Sequence, residues 1–98
     1  MNYIVAKRVY KDTTKLPKHA QVLAGKEIEN IEKANNLDEL SELTDFVHME
    51  GTDEPYYRLK FSNYRYMTYY DMESDILKVL SLTHRKDTYK KHNLPWRK

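Results

Sequence analysis

Apolar and polar positions along the chain change their period more than once, and each change marks an element. Tyr3-Ile4-Val5-Ala6 is short and β-rich, and reads as a first strand. Val9, Thr13 and Leu16 then recur at helical spacing, a weak amphipathic helix broken at Leu16-Pro17 because proline disfavours helical backbone in the residue before it. Pro17 suits the first turn of a second helix. In that helix Ala20, Ala24, Ile28, Ile31 and Ala34 form one stripe with Leu23 beside it, while Lys26, Glu27, Glu29, Glu32 and Lys33 cover the rest. Gly25 inside it costs about 1 kcal/mol relative to Ala, and Asn35-Asn36 is the expected stop. So short a break between two helices predicts an antiparallel hairpin. Leu37, Leu40 and Leu43 add a further helical turn.

From Asp45 onward the period is that of strands. Phe46 to Met49 reads as a short strand closed by Gly51, and Thr52-Asp53-Glu54-Pro55 as a turn. Tyr56 to Phe61 and Tyr64 to Asp71 flank Ser62-Asn63, a tight hairpin in which Asn63 tolerates positive φ. Met72-Glu73-Ser74 turns again, and Asp75 to Thr83 is a nearly continuous apolar last strand, suited to the middle of a sheet. The expected class is α+β: an N-terminal strand and helical hairpin packed on a twisted antiparallel sheet, in the order β-α-α-β-β-β. A length of 98 residues predicts one domain over 1–98.

Composition narrows the function classes. The absence of cysteine excludes disulfides and thiolate metal sites. His19, His48, His84 and His92 lack zinc-like spacing, so neither a metal nor a cofactor is expected. There is no Gly-rich phosphate loop and no nucleophile-elbow serine. No apolar run is long enough to span a membrane, and the first twelve residues carry no secretory pattern, so a soluble cytoplasmic protein is expected.

Charge changes the picture more. Residues 1–55 hold 7 Lys and Arg against 11 Asp and Glu, whereas residues 56–98 hold 10 against 4. A basic, tyrosine-laced half is the footprint of a nucleic-acid or phosphate surface, or of a solvated face paired with the acidic half. Because side chains alternate across a strand, Arg58 and Lys60 share a face, and Arg65 and Arg85 on the following strands come within reach of them. Clustered cations repel unless an anion sits among them. A phosphodiester is such an anion, and fixed donors favour its more highly charged transition state. Tyr89, four residues past Arg85, suits base stacking or proton direction. His84 suits proton transfer near neutral pH or, equally, a structural role at the strand end. The tyrosines of 64–70 read as sheet packing more readily than as a binding platform. Pro95-Trp96 is either a docked tail or a partner contact.

Taken together, these motifs resemble a known family. Tyr57-Arg58-Leu59-Lys60-Phe61-Ser62-Asn63-Tyr64-Arg65 is similar to the YYRIRxGDYR motif of the RelE/ParE superfamily of toxin–antitoxin toxins, and His84-Arg85-Lys86-Asp87-Thr88-Tyr89-Lys90 is similar to its HRKDxYR ending. Leu16-Pro17-Lys18 with the following helix, and Met49-Glu50-Gly51, fall where the family has its helical hairpin and its L-x-G. The resemblance implies a metal-independent, ribosome-dependent mRNA endoribonuclease, with a ParE-like DNA gyrase inhibitor as the alternative. It carries a catalytic role onto Arg58, Lys60, Arg65, Arg85 and Tyr89, with His84, Lys86 and Lys90 as auxiliary or RNA-binding residues. It also implies a cognate antitoxin, a toxin–antitoxin hetero-oligomer, and ribosome and mRNA as targets. Where the family's best-studied ribosome-dependent members carry Lys, this chain has Arg58. Arginine is a poor base because its pKa stays above ~12, which leaves Lys60 as the better one.

Overall fold

The computed structural model describes residues 1–96. Its elements are β1 (Tyr3–Val5), α1 (Lys7–Thr14), α2 (Lys18–Lys33), α3 (Leu37–Leu43), β2 (Asp45–His48), β3 (Tyr56–Phe61), β4 (Tyr64–Asp71) and β5 (Ile76–His84), followed by a 3-10 turn at Lys91–Asn93. The class is α+β, as expected, but the order is β-α-α-α-β-β-β-β: four strands, not three, follow the helices. The added turn after the hairpin is a full helix, α3. Asn36 ends one helix and begins the next, its side chain accepting the Glu39 amide at 2.9 Å.

The five strands form one sheet in the order β1-β5-β4-β3-β2. Three pairs are antiparallel, but β1 lies parallel to β5 with Ile4 opposite Lys78, so the sheet is mixed. No hairpin joins β1 to β5: the three helices carry the chain to the far edge at β2, and the β2–β5 meander returns across the sheet until the last strand runs beside the first in the same direction. Two turn details also differ from the sequence expectation. The left-handed residue of the β3–β4 turn is Ser62 (φ 53°), not Asn63, and the Asn63 carbonyl accepts the Arg85 amide at 2.7 Å. Asp75 (φ 54°) belongs to the preceding turn rather than to β5.

The helices cover one face of the sheet. Ala24, Ile31, Ala34 and Leu40 pack there on Leu59, Phe61, Tyr66, Leu77, Val79 and Leu82. Tyr66 locks the two layers, its hydroxyl donating to the Ala24 carbonyl at 3.2 Å. Burial pushes Tyr66 up to about 12, with the Thr13 hydroxyl opposing and Glu27 and Tyr10 adding to the rise. The unfolded phenol ionises near pH ~10. Its contribution is therefore whole below that pH and is lost as pH climbs toward the folded value. Urea unfolding midpoints should fall between about pH 9 and about pH 12, and Tyr66→Phe should flatten that slope; an unchanged slope would contradict the assignment.

The other face carries a second, smaller core. Met49, Met67 and Leu94 are buried together, with Tyr56 and Trp96 against them. Trp96 is thus part of a docked tail. The chain after β5 folds back across this face, leaving its remainder open to solvent.

Candidate functional site

The register places the basic residues of β3 and β4 on that second face. Asp45 stands opposite Lys60, Lys60 opposite Arg65, and Arg65 opposite Thr83, one row across four strands. Arg58 lies two residues from Lys60 on β3 and so shares its face. Arg85 follows β5, its amide tied to the β3–β4 turn.

Arg65 is the centre of the group. Burial, then Arg58 and Arg85, hold its guanidinium below the ordinary arginine pKa, while Asp45 and Tyr89 act the other way. All four neighbours therefore lie close enough to act on it. Its Nη1 donates to the Tyr64 carbonyl at 3.1 Å. Arg58 pairs with Asp45 at 3.5 Å, yet the same Nη1 is buried without a hydrogen-bond partner. A buried cationic donor left unpaired is costly, and an incoming anion would satisfy it. Lys60 is exposed. One carboxylate thus stands among three guanidiniums and an ammonium, the imbalance of an anion site.

Tyr89 is 48% exposed and is held by the turn that precedes it. Thr83 and Thr88 are buried, their hydroxyls 3.0 Å apart. The Asp87 amide donates to the His84 carbonyl at 2.8 Å, and Asn93 Nδ2 donates to the Asp87 carbonyl at 2.8 Å. Thr88→Val should keep the shape but leave the Thr83 hydroxyl unpaired, a loss of roughly 1–3 kcal/mol. Amide exchange at Asp87 and Lys90 should accelerate by about fivefold or more; unchanged protection would show that the clasp does not fix the turn.

The remaining sequence candidates stand apart from the row. His84 is opposite Tyr64, and its ring meets the Tyr64 ring edge-on at 5.6 Å. Its Nδ1 accepts the Lys86 amide at 3.2 Å. The alternation of side chains across β5 turns it to the helix-bearing side, away from the cationic row. Lys90 pairs with Asp87 at 2.6 Å, and Lys86 is exposed on the turn. Two residues escaped sequence reasoning. Asp45 is read there only as the start of the strand region, and only the β2–β3 register reveals it facing the cations. Glu50 joins Gly51, Tyr89, Leu94 and Trp96 around a cavity of about 280 Å³ beside the row. Among the described residues no three His, Asp or Glu side chains are grouped to hold a metal ion, and no helix is long and apolar enough to cross a membrane.

No protein-family model and no curated protein matches the chain. Solved structures do. The chain superposes on a RelB-RelE antitoxin-toxin complex from Methanococcus jannaschii with a TM-score of 0.69 and 26% identity, over 89% of this chain and 95% of that one. This is a RelE-like toxin fold. An archaeal RelE-RelB complex from Pyrococcus horikoshii gives 0.68 at 24% identity, over 86% and 93%. The E. coli RelBE toxin-antitoxin complex gives 0.61 at 18%, over 85% and 94%. The RelE-like assignment made from the two motifs therefore holds over most of the chain. The residues that carried it, Arg58, Lys60, Arg65, Arg85 and Tyr89, are among those the fold gathers on one face.

Proposed function

We propose that this protein is the toxin of a toxin–antitoxin pair and that it cleaves mRNA on the ribosome. The observation that carries the reading is the row of Lys60 and Arg65 with Arg58 and Arg85 beside it, balanced by Asp45 alone, on the sheet face the helices leave free. Support for the pairing comes from the three RelE structures, each of them a complex with RelB. The partner is then a cognate antitoxin with an acidic segment suited to a basic surface.

The chemistry is transfer of a phosphoryl bond within the RNA. The ribose 2′-OH loses its proton to a base and its oxygen attacks the adjacent phosphorus. The bond to the 5′-oxygen breaks, and that oxygen takes up a proton. The products are a 2′,3′-cyclic phosphate and a 5′-OH end. Arg65 and Arg85 hold the non-bridging oxygens, whose charge grows in the transition state. Arg58, oriented by Asp45, adds a third donor. Lys60, directly opposite Arg65, is the side chain in place to accept the 2′-OH proton. Tyr89 stacks on a base beside the cut.

Induced expression followed by primer extension on a reporter mRNA tests this. Cuts should fall inside codons in one reading phase and vanish when the start codon is removed. Growth arrest with intact mRNA and loss of DNA supercoiling would overturn the nuclease reading in favour of a gyrase inhibitor.

A further inference from the structure

We propose that the cavity between the start of α1 and the C-terminal tail is a second phosphate site, separate from the cationic row and independent of the nuclease reading. It measures about 250 Å³ and is lined by Arg8 from α1, Ser81 from β5, and His92 and Asn93 from the tail, with Met67 and Leu80. The decisive group is Ser81. Among the described residues four polar side chains are buried, those of Thr68, Ser81, Thr83 and Thr88. Three of the hydroxyls are occupied: Thr68 donates to the Tyr57 carbonyl at 3.0 Å, and Thr83 and Thr88 lie 3.0 Å apart. Ser81 is only 5% exposed, and its side chain has no hydrogen-bond partner among the described residues. A buried hydroxyl left unpaired is costly, and this one lines the cavity.

The surroundings set the charge of the ligand. Arg8 is cationic, His92 brings an imidazole, and no carboxylate among the described residues lines the cavity. Arg8 stands in the first turn of α1. Ala6 gives that end no side-chain cap, and no acidic residue occupies the turn, so the positive end of the helix is uncompensated. The ion pair of Arg8 with Asp12 is 3.9 Å long, and the Arg8 side chain is 64% exposed. So loose a pair leaves the guanidinium free to turn to an anion. Asn93 Nδ2 donates to the Asp87 carbonyl at 2.8 Å, which fixes the tail beside His92. A tetrahedral oxyanion here meets a hydroxyl, a guanidinium and an imidazole from three segments, and ties the tail to α1. Ser81 stands opposite Met67, two residues along the strands from Thr83 and Arg65 on the same face. At ~3.3 Å per residue the cavity is about 7 Å from the row. A free phosphate fits it without RNA, and an RNA strand crossing the row would bring a neighbouring phosphodiester to it.

Titration with inorganic phosphate, followed by amide NMR, tests the site in a variant carrying both Arg65→Ala and Arg85→Ala, which lacks the competing row. The amides of Arg8, Ser81 and His92 should shift together and saturate at one phosphate per chain. Adding Arg8→Gln or Ser81→Ala to that background should weaken binding by about tenfold or more, the worth of one hydrogen bond to a charged group. Ser81→Ala removes only an unpaired hydroxyl and Arg8 is at the surface, so native amide spectra are expected for both. Shifts confined to other residues, no saturable binding, or unchanged affinity in both added variants would each overturn the site. A non-cleavable 2′-O-methyl trinucleotide distinguishes the two sources of phosphate. An RNA affinity about tenfold lower in Arg8→Gln than in the wild type assigns the site to the RNA backbone. Unchanged RNA affinity, with phosphate binding lost, assigns it to a free phosphate. Neither arm reads cleavage, so an absence of mRNA cutting leaves the site standing, and an absence of phosphate binding leaves the nuclease reading standing.

Discussion

Arg65→Ala and Arg85→Ala are each expected to lower mRNA cleavage by roughly 100-fold or more, the cost of removing one preorganised donor to a developing anion, and to abolish growth arrest. The fold should survive both changes. Arg65 is crowded by Arg58 and Arg85, and among the described residues its side chain hydrogen-bonds only the carbonyl of its own neighbour, Tyr64. Removing a charge from a repelling cluster leaves stability unchanged or raises it. Sulfate should raise the melting temperature of the wild type more than that of either variant, because an anion that binds only the folded cluster stabilises it by mass action. Full cleavage by both variants, with native melting curves, would remove the cationic row from the mechanism. Lys60→Arg separates base from clamp: it keeps the charge but removes a usable base, so a roughly 100-fold loss of cleavage is expected, and unchanged cleavage would leave Lys60 a purely electrostatic role.

Leu59→Ala is expected to cost about 2–5 kcal/mol, out of the ~5–15 kcal/mol that holds a typical domain together. Leu59 is fully buried, with 0% exposure, on the strand that carries Arg58 and Lys60. On its own face it packs in the main core with Phe61, Tyr66 and Ile31. Deleting its side chain leaves a hole that a sheet anchored on both flanks, by β2 and β4, closes poorly. Denaturant unfolding should show a lower midpoint at unchanged slope. A loss under about 1 kcal/mol would mean that the helices collapse into the space, against the tight packing of these layers.

The pairing of these two outcomes follows from the alternation of one strand. In Tyr57-Arg58-Leu59-Lys60-Phe61 every second residue enters the core and the others carry the charge, so one β3 segment serves stability and chemistry on opposite faces. That much was legible from the sequence, because a period of two is local. So were the helix stripe of α2, the hairpin at Ser62-Asn63, and the two motifs that pointed to a RelE-like toxin. His84, beside Arg85 in the sequence, lies opposite Tyr64 on the helix-bearing side of the sheet, where the sequence had left proton transfer and a structural role equally open. Glu50 and Trp96, 46 residues apart in the chain, gave no sign of meeting, because they line one cavity only where the tail crosses the sheet.

The amino-acid order by itself determined the elements, their order, and which side of each strand is basic, since these depend on neighbours within a few residues. Tertiary structure alone decided the parallel pairing of β1 with β5, the arrival of Asp45 opposite Lys60, and the folding of the last dozen described residues over Met49 and Met67. Those outcomes depend on contacts between distant segments, whose register is set by the best burial of the whole sheet and not by any local preference.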